Sequence, residues 1–195
     1  MINFAAYAAG FELFPKTGDA FVHLSPLISH LIRVDFSLTV NDPTTNQGQM
    51  SSDFDKKFEE SLRMLGAVSS TFMMPSEAAQ ELDFTFRYQG KNIAVEIEKT
   101  NREKILRDIL KCHIYLHAGA DFTVIVLPAN YPHKLGMWNL FEFGVQRLSE
   151  CETYGFGTPD KLNRILLLGF KQYDAKTGEA LSTMSRKWMR NEAAK

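Results

Sequence analysis

Leu82-Asp83-Phe84-Thr85-Phe86-Arg87-Tyr88-Gln89-Gly90-Lys91-Asn92-Ile93-Ala94-Val95-Glu96-Ile97-Glu98-Lys99 reads as a β-hairpin that carries acids. Residues 83–88 and 93–98 are two runs rich in Phe, Tyr, Ile and Val, joined by Gln-Gly-Lys-Asn, a composition that lets the chain reverse between antiparallel strands. Strand side chains alternate faces, so Glu96 and Glu98 point one way while Val95, Ile97 and Lys99 point the other. Asp83 stands at the outer end of the first strand, and closing the hairpin is expected to bring it towards Glu96 and Glu98. Three converging carboxylates repel one another unless a cation lies between them, and hard oxygen ligands suit Mg²⁺, Mn²⁺ or Ca²⁺. The same alternation also describes a strand that turns Glu96 and Glu98 to solvent and buries Val95 and Ile97. The stretch alone leaves both readings open.

On the amino-terminal side, Phe54, Phe58, Leu62 and Leu65 recur at helical spacing after the cap candidates Ser51, Ser52 and Asp53, and the pattern ends at Gly66. Asp55 and Glu59 flank that apolar stripe, and Glu59 is the better candidate for an acid lent to the metal site. Earlier still, Ser25-Pro26 with Leu27, Ile28, Leu31 and Ile32 predicts a short helix, and Val34 to Val40 alternates as a half-buried strand.

On the carboxyl-terminal side, Thr100-Asn101-Arg102-Glu103 is a capping-box sequence. It is expected to open a helix with Ile105, Leu106, Ile109, Leu110, His113 and Leu116 on one side and Gly119 at its end. The helix dipole and the donors of Arg102 and Lys104 would then lie near the acids, where a phosphate can bind. Phe122 to Leu127 is a continuous apolar run stopped by Pro128, as in a strand buried on both faces, and the strand–helix–strand order predicts parallel pairing. Asn130-Tyr131-Pro132-His133-Lys134 reads as a polar, aromatic loop, Trp138 to Leu148 as a helix, and Ile165 to Phe170 as a last buried strand. Leu181 to Lys195 is weakly helical, and its basic residues Arg186, Lys187, Arg190 and Lys195 face the single acid Glu192.

The composition bounds the function. A chain of 195 residues, 45% hydrophobic and 23% charged, can bury its own core as one domain. The apolar start has no basic region before it, no apolar run approaches the ~20 residues of a membrane span, and Cys112 and Cys151 form no CxxC pair. A cytoplasmic protein without a membrane partner is the expectation. His113 and His117 have a zinc-compatible i, i+4 spacing, but His113 falls on the apolar stripe and no HExxH surrounds it. Gly155-Phe156-Gly157 is read as a turn.

Asp83, then Val95-Glu96-Ile97-Glu98 on the next strand, then a helix opening near Thr100, resembles the PD-(D/E)XK nuclease superfamily. The likeness is closest to type II restriction endonucleases of the BamHI and BglII kind, in which an acid or amide stands where the superfamily usually has lysine. It covers about residues 53–170, with 1–52 as an amino-terminal elaboration and 171–195 as a basic extension. Met74-Pro75 lies well before Asp83, so the Pro-Asp pair is missing. The resemblance implies a single α/β domain with a mixed sheet, helices on both sides and the acids gathered at one sheet edge. It further implies a homodimer that cuts double-stranded DNA with Mg²⁺, for which Mn²⁺ can substitute. Asp83 and Glu96, helped by Glu59, would hold the metal, while Glu98, or Lys99 if a bulge re-aims it, would act on the attacking water. The Asn41–Ser52 loop and Asn130, Tyr131, His133 and Lys134 are expected to approach DNA, with Arg102 and Lys104 on phosphate. A non-cleaving DNA-binding or assembly protein on the same scaffold is the alternative, as is a repair or mobile-element nuclease without sequence specificity.

Overall fold

Gln89 and Gly90 turn the chain with both φ angles positive, 47° and 82°, the conformation of a two-residue connection whose twist matches that of paired strands. On this turn β4 (Phe84–Tyr88) runs antiparallel to β5 (Lys91–Ile97), with Phe84 opposite Val95 and Tyr88 opposite Lys91. The structure, a computed structural model, describes residues 4–31, 36–40, 53–69, 83–99, 101–133, 136–174 and 177–182. The short β3 (Val68–Ser69) borders β4. On the other side, β5 pairs in parallel with β6 (Phe122–Pro128), and β6 in parallel with β9 (Ile165–Asp174). Parallel neighbours need long crossovers. Here α3 (Lys104–His117) makes the first, and α4 (Leu140–Thr153) with α5 (Pro159–Leu162) makes the second.

The sheet continues past β9 through β1 (Phe4–Phe14) and β2 (Phe36–Val40), giving seven strands among the described residues in the order β2-β1-β9-β6-β5-β4-β3. Two cores form because the interior strands are buried on both faces, as every residue of β6 is. On one face α1 (Asp19–Leu31) and α2 (Asp53–Met64) bring Leu24, Leu27, Phe54, Phe58 and Leu62 against Ile93, Val95, Val124, Val126 and Leu168. On the other, α3 and α4 pack Ile105, Ile109, Leu140 and Phe141 against Ala94, Ile125, Leu127 and Leu167. Helix α4 lies unusually close to the sheet: a Cβ built on Gly169 would sit 2.6 Å from the Phe141 ring. The result is a mixed α/β sheet with helices on both faces.

Four expectations change. The amino-terminal residues are built into the sheet, since β1 pairs with β9 from Ala6–Asp174 to Phe14–Leu167 around an irregularity between Ala9 and Glu12. The acids stand on β5, third from the edge, because β3 and β4 cover its outer side. Helix α1 begins at Asp19 and carries Pro26 inside it. Trp138 belongs to a separate hairpin, β7 (Tyr131–His133) with β8 (Gly136–Trp138), and α4 starts after Asn139, whose side chain accepts a bond from Glu142 N. The Asn41–Ser52 loop, Thr100, Lys134 and the basic residues 183–195 lie outside the described residues.

Candidate functional site

Strand β5 and the two residues after it divide their side chains between the two helical layers. Ile93 and Val95 join the α1–α2 core with Ile97 packed against it, and Lys99 follows them, its Nζ donating to both carboxylate oxygens of Asp55 on α2 at 2.7 Å. Ala94, Glu96 and Glu98 face α3. The strand is regular, so no bulge turns Lys99 towards the glutamates.

Burying two glutamates under a helix requires compensation, because an unpaired buried charge costs several kcal/mol. Helix α3 supplies it. Glu96, only 5% exposed, accepts from Lys111 Nζ at 2.6 Å on one oxygen and from Tyr115 Oη at 2.5 Å on the other. Lys111 is itself buried, and Asp108 lies on the same side of α3 at 3% exposure. Glu98 accepts from Asn101 N at 2.8 Å, with Lys104 Nζ at 3.9 Å. This bond shapes the entry to α3. The Asn101 side chain accepts from Glu103 N, and the cap position Glu103 makes no side-chain cap bond. Helix α3 thus starts at Lys104, after a turn tied to the site, and the capping box expected of Thr100 falls on a residue outside those described.

The buried face of α3 also differs from expectation. Leu106, Leu110 and Ile114 are exposed, while Ile105, Asp108, Ile109, Lys111, Cys112, Tyr115 and Leu116 are covered. The helix is rotated so that its polar groups meet the glutamates. Sequence reasoning passed over Asp108, Lys111 and Tyr115, although they interrupt the run between Ile105 and Leu116 at spacings that place them on one side of a helix.

Asp83 is exposed and accepts from Ile97 N at 2.6 Å, which pins it beside the end of β5. Its negative charge is felt at Asp55 on one side and at Glu96 on the other. Burial pushes the Glu96 carboxyl above the ordinary range against the pull of Lys111 and Tyr115. Burial, then the charges of Glu96 and Glu98, push Asp108 from 3.8 up to about 6. Burial and the Glu96 acceptor raise the Tyr115 hydroxyl, so it stays a proton donor. Asp55 is raised by burial in spite of Lys99. The acid that α2 turns to the strand ends is thus Asp55, and Glu59 pairs instead with Arg63 at 2.6 Å on the outer surface.

Among the described residues, no three acidic, histidine or cysteine side chains are grouped closely enough to hold a metal ion between them. The acids are placed separately: Asp83 on a backbone amide, Glu96 on Lys111 and Tyr115, and Glu98 on the turn into α3. His113 Nδ1 bonds to the Ile109 carbonyl, and His117 lies beside Lys161, so the two histidines have different neighbours.

The groups expected to meet DNA divide as well. Arg102 and Lys104 are exposed at the start of α3. Tyr131 and His133 stand in the β7–β8 hairpin, with His133 stacked on Trp138 at 3.5 Å between centroids. Asn130 is the exception. Its amide donates to Gln172 O and Leu181 O and accepts from Gln172 N, which commits it to holding β9. No protein-family model, curated protein or solved structure matches this chain.

Proposed function

We propose that the protein is a Mg²⁺-dependent endonuclease of double-stranded DNA, of the type II restriction kind. The observation that carries this reading is an acidic site at the carboxyl end of β5, beside the start of α3, where burial holds Glu96 and Asp108 above their ordinary range. Strongly perturbed acids at the carboxyl ends of parallel strands are where α/β proteins commonly place ligands.

Carboxylate oxygens are the donor type a hard divalent cation takes, since Mg²⁺ is commonly held by one or two carboxylates together with water and substrate phosphate. Asp83 and Glu96, whose charges interact, would hold it. When bound, Mg²⁺ (or Mn²⁺) neutralises phosphate charge and lowers the pKa of a coordinated water. The chain's own residues do the rest. Lys111 and Tyr115 fix the Glu96 carboxylate. Glu98 is oriented by Asn101 N through Oε1, and Oε2 is the atom that takes the proton of the attacking water. The face of the strand that Lys99 takes and its bond to Asp55 favour Glu98 over it for this step.

Cutting both strands of a palindrome calls for a two-fold dimer. The exposed stripe Leu106, Leu110 and Ile114 on α3 supports one. An antiparallel crossing of two copies centred on Leu110 sets Leu106 against Ile114 and Glu103 against His117, apolar on apolar and acid on base.

Plasmid DNA incubated with the protein and Mg²⁺, with an EDTA control, is expected to give discrete fragments from a preparation that sediments as a dimer. Asp83→Asn, Glu96→Gln and Glu98→Ala should each abolish cleavage, and Lys99→Ala should retain far more activity than Glu98→Ala. A smear instead of fragments points to a nuclease without sequence specificity. Intact DNA across Mg²⁺, Mn²⁺ and differing methylation states sinks the nuclease reading. The alternative is then a DNA-binding protein that does not cleave, which the saturation of both Glu96 oxygens by Lys111 and Tyr115 favours.

A further inference from the structure

Five side chains, from β7, β8, α4 and the turn before α3, follow one another beside the acidic site. His133 of β7 lies on Trp138 of β8 at 3.5 Å between centroids, with the rings 19° apart. The Arg102 guanidinium lies 5.3 Å from the Trp138 ring centroid and 5.0 Å from that of Phe143 on α4. Arg147, one helical turn further along, covers Phe143 at 4.7 Å. A guanidinium held against aromatic faces keeps its in-plane N–H donors and is fixed before any ligand arrives, so little side-chain freedom remains to be lost on binding.

The two arginines differ in how their charge is balanced. Arg147 is paired to Glu150 at 2.5 Å. Arg102 meets Glu103 at 3.5 Å, and that glutamate is itself 80% exposed. Arg102 is therefore the ladder's weakly countered cation. It belongs to the turn that Glu98 organises through Asn101 N, and Lys104 follows two residues later at the start of a 14-residue helix. A planar, preset fork with a second cation nearby matches the two free oxygens of a phosphodiester. Rings and arginines alternating along a surface are also how nucleic-acid grooves are commonly lined.

We propose that the His133–Trp138–Arg102–Phe143–Arg147 ladder binds the nucleic-acid backbone, with Arg102 as the phosphate fork that sets the strand beside Glu98. This rests on the nuclease reading for the identity of the ligand, but binding and cleavage can be read apart. The probe is a fluorescein-labelled 20-base-pair DNA duplex, titrated in EDTA so that nothing is cut, at several salt concentrations. Cleavage by the same proteins is measured separately with Mg²⁺.

Arg102→Ala is expected to weaken duplex binding about tenfold and to reduce the salt slope by about one. Arg102→Lys should recover the salt slope but not the affinity, because a lysine keeps the charge and loses the planar fork. In a Trp188→Phe background, duplex should change the Trp138 emission of the otherwise wild-type chain and leave it unaltered in Arg102→Ala. Thermal midpoints of the exposed-site variants, expected to be close to wild type, show that the fold is intact. Binding by Arg102→Ala within twofold of wild type, with the same slope, overturns the ladder even if the protein cleaves DNA. Ladder-dependent binding by a wild type that never cleaves upholds the ladder and sinks the nuclease reading. No binding of the duplex by wild type overturns both.

Discussion

The two ends of β5 hold the same kinds of groups and treat them oppositely. At the amino end, Asp121 accepts from Asn92 N at 2.9 Å and from Lys91 Nζ at 3.1 Å. Burial opposes its charge, but the Asn92 amide and Lys91 outweigh burial and hold the carboxyl below its ordinary value. Arg164 completes the joint by donating to the carbonyls of Ala120 and Asp121. At the other end, Glu96 has two bonds from side chains, one of them a lysine, yet burial wins and its carboxyl is raised. One end is a joint in which the ionised acid is comfortable. The other holds charge against a cost, the condition under which proton transfer and ion binding become easy to drive.

The sharpest way to break this contrast is Lys111→Ala. It removes the cation at 2.6 Å from a glutamate that is 5% exposed. The expected loss is about 3–5 kcal/mol of unfolding free energy by urea denaturation, the range seen when one partner of a buried pair is deleted. Replacing both partners, Lys111→Met with Glu96→Gln, should recover most of that loss, because no uncompensated charge is left behind. A loss below about 1 kcal/mol for Lys111→Ala would mean that water reaches Glu96 and that the site is not dry.

A smaller effect concerns pH. Asp108 is raised from 3.8 to about 6 by burial and by Glu96 and Glu98. The folded protein therefore binds its proton more tightly than the unfolded chain does. Its contribution to stability is fully present below the ordinary value and is lost as pH rises through about 6. At ~1.4 kcal/mol per unit this amounts to about 3 kcal/mol across the window. Asp108→Asn, which cannot ionise, should flatten the decline in stability between about pH 4 and pH 6. An unaltered profile would place the titrating group elsewhere.

How far the sequence reveals this molecule depends on the range of the interactions involved. The hairpin, its turn and the opposite facing of Glu96 and Lys99 follow from local chemistry and period-two alternation, and the structure has all three. The all-buried β6 and its parallel partners were equally readable, because a strand covered on both faces must be apolar throughout. The strand Phe4–Phe14 was not. Its apolar stretch has no alternation to mark it, and what makes it a strand is pairing with β9, some 160 residues away. The rotation of α3 was hidden for a related reason. Leu106 and Leu110 look like core residues on hydrophobicity, but the side that faces β5 is chosen by the carboxylates there, which need Lys111 and Tyr115. Asp55 and Glu59 flank the same stripe of α2, and nothing local tells them apart: only the long-range bond from Lys99 shows that Asp55 is the one turned to β5, while Glu59 pairs with Arg63.

The smallest effect tests the comfortable end. Lys91 and Asp121 are 48% and 32% exposed, so solvent screens their pairing. Lys91→Ala is expected to cost no more than about 1 kcal/mol, the usual range for an exposed pair. Asp121 keeps the Asn92 amide and the nearby charge of Arg164 after the substitution, so the joint retains most of what lowers its carboxyl. The pH dependence should run opposite to that of Asp108. A lowered carboxyl contributes stability that is present above its ordinary value and is lost as pH falls through the folded one. Asp121→Asn should therefore reduce stability at neutral pH and leave little difference at strongly acid pH, where the wild-type carboxyl is protonated as well. Urea denaturation of both variants at neutral and strongly acid pH decides the matter. If Lys91→Ala proved as costly as Lys111→Ala, burial would not be what separates the two ends of β5, and the case for a strained acidic site at its carboxyl end would fall with it.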